Sequence, residues 1–576
     1  MSEQRNLIVA IVLSVGIILG FQYFFASPKR PDAVKTGQQT SQGDVAKSPG
    51  EPGEAGMPQG SAPSAQPSGP AADRAAVLAR ESRIPFSNGR VNGTISTIGN
   101  RIDDLSLVDY RETVDPKSPE IVLLSPAGAP DAYFGEFGWV GPEGVKLPDA
   151  STQWQVEGGE KLTPSTPITL RWDNGAGLVF ERRLELDGNY MFTVTQKVTN
   201  NGSMAVELYP YGLVSRWGTP HLLGYYILHE GPVGVLDGSL REPAYKDLVS
   251  DGKLDFAGTG GWLGFTDKYW LAAVIPDQSG KVNGSFRHNL VGTEDRYQSD
   301  FLGGALKVPP GASAEETSRM FAGAKEVDKL DAYRDQYGIP LFDRAVDFGW
   351  FYFLTKPIFY VLDFFYKFTG NYGIAILLLT LCVKLLFFPL ANKSYRSMSA
   401  MKRLQPKMTE LREKYGDDKM KMNQELMALY KREKVNPMAG CLPIVVQIPV
   451  FFCLYKVLFV NTEMRHAPFF GWIHDLSAPD PTTIFNLFGL LPFTPPHALM
   501  IGALPLLMGI TMFLQTKLNP QPADPVQAKV MLFLPVIFTF LFATFPAGLV
   551  IYWTWNNILS ITQQWVIMKR MGVPAG

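Results

Sequence analysis

The chain has 576 residues, 53 basic and 54 acidic, for a formal net charge of −1. That balance excludes a globally basic nucleic-acid binder, and 46% hydrophobic residues exclude a disordered chain. The mean hydropathy of +0.01 averages two unlike halves, with apolar residues crowded into the first 25 positions and beyond 350, so a simple soluble enzyme is excluded as well.

Arg5 precedes an apolar run from Leu7 to Phe25. At about 1.5 Å per residue the run nearly spans a bilayer core of about 30 Å. A cleaved signal peptide begins the same way, but this run exceeds the usual apolar core of such a signal. A retained transmembrane anchor over 1–26 is therefore expected. Residues 27–73 hold eight Pro and seven Gly among Ser, Ala and Gln, a composition that cannot form a packed core. They read as a flexible linker that continues to residue 84, with an r.m.s. span of about 40 Å.

Residues 85–340 read as one antiparallel β-domain, its strands ending near 325. Ile168, Leu170 and Trp172 alternate up to Asn174-Gly175; Leu178, Phe180, Leu184 and Leu186 alternate up to Asp187-Gly188. Tyr190, Phe192 and Val194 carry the pattern on to Asn200-Asn201-Gly202. Period-2 alternation broken at Asn-Gly and Asp-Gly is a hairpin signal, and its length points to a large sandwich. A short helix at about 325–337 closes the domain.

Residues 341–370 read as an amphipathic helix in the membrane interface. Lys356, Asp363 and Lys367 are seven and four apart, hence on one face. A poor transmembrane helix is the competing reading. Spans are expected near 371–390, 438–460, 497–516, 530–546 and 548–568, six in all with the anchor; the last four make up 437–568. Residues 391–435 carry twelve Lys and Arg against six Asp and Glu, whereas 461–496 carry one Arg and three acids. Cytoplasmic loops hold the basic excess. This places 391–436 and the short tail 569–576 inside, the β-domain outside, and both termini in the cytoplasm. Met398, Met401, Leu404, Met408, Leu411 and Tyr415, then Met422, Leu426, Leu429 and Tyr430, recur every three or four residues around Gly416-Asp417-Asp418. They predict a helical hairpin with an apolar seam and a basic exterior including Arg403 and Lys407. It serves either as a plain connector or as a docking site for a nascent chain or an anionic partner.

Lys384 is the most informative residue, because a Lys well inside a span costs about 2.5–3.5 kcal/mol on insertion scales and normally faces a bundle interior or a wet cavity. Thr380 shares its face by spacing. Gln447, Tyr552, Trp553, Asn556 and Asn557 add polar and aromatic groups at similar depth. Together they predict a hydrated cavity with one positive charge; snorkelling of Lys384 past Pro389 is the alternative. No acid lies within the spans, which argues against a proton relay. No P-loop, H-E-x-x-H motif or G-x-S-x-G elbow occurs, and Cys382, Cys441 and Cys453 lack zinc-ligand spacing and read as inert buried residues. No catalytic residue, metal or cofactor is expected. Gly258–Gly264 reads as a turn, His221 and His229 as ordinary surface histidines rather than the lining of a sugar site, and His474 and Asp475 as locally bonded. A membrane-anchored carbohydrate enzyme and a small-solute transporter are the rivals, but paired carboxylates and inverted repeats are not found.

Several segments carry a resemblance: Leu404-Gln-Pro-Lys407, Met427-Ala-Leu-Tyr430, Val435-Asn-Pro-Met-Ala-Gly-Cys441, Trp472-Ile-His-Asp-Leu-Ser477 and Phe545-Pro-Ala-Gly-Leu-Val550. With the anchor, the Pro-rich tether, the external domain and the five-span core, the whole chain resembles the YidC/Oxa/Alb family of bacterial inner-membrane protein insertases in its Gram-negative form. The resemblance implies a periplasmic β-supersandwich related to sugar mutarotases, acting as a binding module. It implies a helical core whose hydrophilic groove opens to the cytoplasm and the lipid, and membrane protein insertion and chaperoning without nucleotide hydrolysis. The implied partners are nascent membrane proteins, the Sec translocon (SecYEG with SecDF), ribosomes, the signal recognition particle receptor and the lipid bilayer; no DNA binding is implied. The family's groove charge is often Arg where Lys384 stands here, which keeps the charge but loses the bidentate fork. A frequent Tyr pair is replaced by Tyr552-Trp553.

Overall fold

The computed structural model describes residues 73–224, 228–415, 418–433, 435, 442–489, 491, 493, 495, 500–520 and 525–572. The expected anchor, the linker up to residue 72, Cys441 and the last four tail positions lie outside the described residues.

The hairpins expected around 168–200 are present. Strand Ile168–Asp173 pairs antiparallel with Leu178–Leu186, and that strand pairs with Met191–Asn200. Asn174 shapes the first turn: its side-chain oxygen accepts from the N–H groups of Ala176 (2.7 Å) and Leu178 (3.0 Å). Asp187 does the same in the second, accepting from the N–H groups of Asn189 (2.8 Å) and Met191 (3.0 Å).

Among the described residues the strands form two antiparallel sheets. The ten-stranded sheet runs Arg83–Ser87, Val91–Ser96, Ile102–Arg111, Tyr133–Val140, Val206–Trp217, Glu294–Gly303, Lys281–Val291 and Lys253–Thr259, with Glu120–Leu124 and Leu306–Val308 branching from it. The nine-stranded sheet runs Ser239–Arg241, Gly231–Leu236, Trp262–Thr266, Trp270–Ile275, Ser313–Ala324, Met191–Asn200, Leu178–Leu186, Ile168–Asp173 and Gln155–Glu157. Their apolar faces share one core, in which Phe86 meets Phe192 edge-on at 5.3 Å. This is the expected antiparallel sandwich. One inward position breaks the apolar pattern. Arg182 is 2% exposed and donates to the carbonyls of Phe137 (2.6 Å) and Asn100 (3.3 Å) and to the Gln196 side chain (3.0 Å). Burial pulls its guanidinium down to about 10.

The helices are numbered in chain order: α1 (Arg74–Leu78), α2 (Tyr245–Asp251), α3 (Val327–Tyr337), α4 (Tyr352–Thr369), α5 (Tyr372–Leu386), α6 (Phe388–Arg403), α7 (Gln405–Tyr415), α8 (Lys419–Arg432), α9 (Leu442–Val460), α10 (Ala503–Leu518), α11 (Pro525–Phe542) and α12 (Ala547–Arg570). Helix α3 closes the sandwich where a short helix is expected: Tyr333 donates to Asp187 at 2.5 Å and accepts from the N–H of Tyr190 at 3.1 Å. Gly338 ends it in the left-handed region at φ 64°.

Helix α4 is amphipathic as its spacing predicts, and its charged residues reach α3 and the turn that follows it. Lys356 bonds Asp331 of α3 at 2.6 Å and Asp343 at 2.7 Å, while Lys367 bonds Asp328 at 3.1 Å and Asp363 at 2.6 Å. Next to that face Phe353, Phe364 and Phe368 are 74%, 65% and 80% exposed.

Two expectations need correction. The span placed at 371–390 stops at Leu386, and the chain bends by 70° into α6. Pro389 sits in the first turn of α6, where its missing N–H costs nothing, whereas in a continuous α5 its ring would clash with the preceding turn. Cys382 is exposed rather than buried; Cys453 is buried. Among the described residues no single helix is both long and apolar enough to cross a membrane, although α5 and α6 taken together are. Helix α12 has the length, 24 residues, but Asn556, Asn557, Thr562, Gln563 and Gln564 lower its hydropathy. Helices α10 and α11 approach closely at Gly509, where an added Cβ would collide with the Thr539 hydroxyl.

Candidate functional site

Helix α5 begins at Asn371, whose side chain accepts from the Ile374 N–H at 3.1 Å, and carries Lys384 in its last turn. Helix α12 starts after Pro546 as an apolar segment and becomes polar from Tyr552. Tyr552, Asn556, Ser560 and Gln563 recur at helical spacing, so they form one stripe. Asn557 and Gln564, seven apart, form a second.

The first stripe meets α9 and α5. Gln447 of α9 donates to the Tyr552 hydroxyl at 2.7 Å. Two turns further, Lys384 Nζ donates to Ser560 Oγ at 2.8 Å, and Ser560 in turn donates to the Asn556 carbonyl at 2.7 Å. The second stripe meets α10. Asn557 donates to Thr511 Oγ1 at 3.2 Å, and Gln564 donates to the Leu518 carbonyl and to the Asn519 side chain, both at 3.2 Å.

The predicted residues therefore divide. Lys384 bonds Ser560, whose hydroxyl bonds back to the main-chain carbonyl of Asn556, and Gln447 pairs with Tyr552. Asn557 turns to α10 instead. Thr380 is 1% exposed and its hydroxyl bonds the Ile376 carbonyl at 2.6 Å, so spacing alone misplaces it beside Lys384. Trp553 belongs to an aromatic cluster, 4.7 Å from Phe451 and 5.0 Å from Phe542. Ser560 was missed by sequence reasoning; its place four residues after Asn556 was the available signal.

Below Lys384 lies a cavity of about 690 Å³ between α5, α6 and α12. Lys384, Arg396 and Arg570 line it with Asn392, Thr562 and Gln563, and its described lining contains no Asp or Glu. A neutral hydroxyl as the partner of Lys384 leaves the ammonium charge uncompensated there. Such a cavity attracts polar or anionic groups and offers no carboxylate for acid–base chemistry. No cluster of His, Cys, Asp and Glu among the described residues is arranged to hold a metal ion.

The hairpin consists of α7 and α8. Leu404, Met408, Leu426 and Leu429 form its buried seam, and Lys407 pairs with Glu433 at 2.7 Å. Met398 and Met401 lie outside it, half-buried on α6, because the break at Leu404 comes after them. Arg403 is exposed at the end of α6. Met420 and Met427, 78% and 52% exposed on α8, add apolar groups to the outside of the hairpin. His474 is exposed, and Asp475 accepts from the N–H groups of His466 (3.2 Å) and Ser477 (2.8 Å), local bonding as expected.

A family model described as YidC periplasmic domain matches residues 83–361, and one described as 60Kd inner membrane protein matches residues 364–573. A membrane protein insertase YidC of Methylobacterium nodulans is 53% identical over 584 residues, covering 99% of this chain and 96% of its own. One of Rhizobium meliloti is 51% identical over 581 residues, covering 100% and 97%. A crystal structure of an active YidC insertase with its first transmembrane domain resolved aligns at a TM-score of 0.36 and 19% identity, over 84% of this chain and 92% of that one. On the family models and on identity of this extent, the chain belongs to the YidC family of membrane protein insertases, inner-membrane proteins with a periplasmic domain.

Proposed function

We propose that this insertase admits polar segments of its guests through a hydrated, positively charged groove at the α5–α12 seam, without nucleotide hydrolysis or any other enzymatic step. The observation that carries the reading is the Lys384–Ser560 hydrogen bond of 2.8 Å beside a cavity whose described lining is cationic and free of acids. A short polar or acidic segment is costly to move into a bilayer; in a wet cavity near one ammonium that cost falls. The apolar segment of the guest then leaves along the aromatic helices, and burial at about 25 cal/mol per Å² drives it into lipid.

In this reading the core crosses the membrane five times, and the N-terminal anchor makes six. The basic excess of 391–435, twelve against six, supports a cytoplasmic hairpin with both termini inside. The exposed Phe face of α4 lies in the periplasmic interface. The hairpin receives nascent membrane proteins with the ribosome and the signal recognition particle receptor, and the Sec translocon cooperates on larger guests. Photocrosslinking from positions 447 and 562 during synthesis of a short membrane protein tests it. Crosslinks to the apolar segment of the nascent chain are expected. Crosslinks to lipid alone, with undisturbed insertion after depletion of the protein, overturn it.

A further inference from the structure

We propose that the cavity below Lys384 is a binding site for an anionic phospholipid of the surrounding bilayer, with its phosphate between Arg396 and Arg570. This rests on the membrane placement given above. The cavity has two unlike walls. Leu381, Leu385 and Phe388 form the apolar one and are 39%, 62% and 47% exposed, so they lack protein cover on the outer side of the core. Leu381 and Leu385 are one turn apart, hence on one face of α5. The 70° bend then carries the chain aside, and Arg396, two turns into α6, comes to line the same cavity as Arg570, the last residue of α12. Both arginines are exposed. The buried Nε2 of Gln563, also in the lining, has no hydrogen-bond partner.

One wall thus fits an acyl chain and the other a phosphate. Two guanidinium forks suit a phosphodiester, whose unesterified oxygens each accept charge-assisted hydrogen bonds. Three cations without an acid in the described lining leave a charge excess that one lipid phosphate reduces. A guest carboxylate meets the charge, but it does not explain an uncovered apolar wall continuous with the cationic rim. The lipid is a resident counter-ion that a guest displaces.

The test uses the full chain in zwitterionic detergent micelles with equal amounts of phosphatidylglycerol and phosphatidylcholine, and mass spectrometry of the retained lipid. Preferential retention of phosphatidylglycerol is expected. Arg396→Gln with Arg570→Gln should weaken it about twenty-five-fold, roughly fivefold for each basic residue. The control pair Arg412→Gln with Lys414→Gln, on the hairpin helix α7, should leave it unchanged. Equal retention of both lipids, equal loss in the hairpin control, or full displacement by inorganic phosphate overturns the proposal. Should the glutamine pair fail to fold, Arg396→Lys with Arg570→Lys keeps the charge and loses the forks; retention unchanged there overturns the clamp. Normal lipid retention with failed guest crosslinking overturns the groove reading alone.

Discussion

Lys356 Nζ lies 2.6 Å from Asp331 Oδ1 and so ties α4, which leads into the helical core, to α3, which closes the sandwich. Asp343 shares the same ammonium at 2.7 Å, and the side chains of Asp331 and Asp343 are only 14% and 3% exposed. Lys356→Met leaves Arg334, 2.7 Å from Asp331 and 3.6 Å from Asp343, to hold both carboxylates. A loss of about 1–3 kcal/mol is expected, read as a lower thermal midpoint and faster proteolysis between 338 and 351. Adding Asp331→Asn and Asp343→Asn should restore part of it.

Glu463 predicts a pH dependence of the opposite sign to an ordinary ion pair. It follows α9, and burial, with Glu326, Asp363 and Asp328 nearby, pushes its carboxyl up from 4.5 to about 8. The folded chain therefore holds a proton that the unfolded chain releases. Stability is highest below about pH 4.5 as far as this group is concerned, falls as pH rises, and levels off above about pH 8. The contribution is on the order of a few kcal/mol. Glu463→Gln should flatten the stability profile between those limits and raise the thermal midpoint at pH 8. An unchanged profile refutes the assignment.

Reversing the charge at Lys384 should impair insertion of guests with acidic translocated segments tenfold or more. Two unit charges about 4 Å apart at an effective dielectric constant near 20 interact by about 4 kcal/mol, and Lys384→Glu changes the sign. Lys384→Arg should retain insertion, and Lys384→Ala should retain it for neutral guests. Pulse-labelled insertion in cells depleted of the native protein measures all three; normal insertion of acidic guests by Lys384→Glu refutes the field argument.

Arg182→Ala should destabilise the sandwich by about 3 kcal/mol or more, since it leaves the Phe137 and Asn100 carbonyls without this donor and opens a void. Arg182→Lys reaches fewer of the three acceptors and should fall between. Denaturant unfolding followed by tryptophan fluorescence separates them.

Local chemistry made the sandwich legible. Asn174 and Asp187 fix turns within four residues, and the strands beside them alternate visibly. Arg182 escaped because the apolar residues of that strand carry the visible pattern and a charged one at the same period does not. In the core, Lys384 could be singled out because a cation in an apolar helix is costly wherever its partner lies. The partner itself could not be, since Ser560 is 176 positions away and only packing brings it near. Thr380 shows the converse error: helical spacing put it beside Lys384, but a buried threonine hydroxyl satisfies itself on the carbonyl four residues back. The charged face of α4 was visible in its own sequence; its acceptors Asp331 and Asp343 belong to other elements.

The distance in sequence between Lys384 and Ser560 also sets a clock. At about 5–20 residues per second of synthesis, 176 positions correspond to roughly 10–35 s. During that interval the newly made chain carries the ammonium of Lys384 while the serine that will accept its hydrogen bond does not yet exist. The ammonium must meanwhile be satisfied by water or by a phosphate, so the protein begins life as a membrane protein with an unfinished polar seam. Synthesis of α12 supplies the serine and completes the seam.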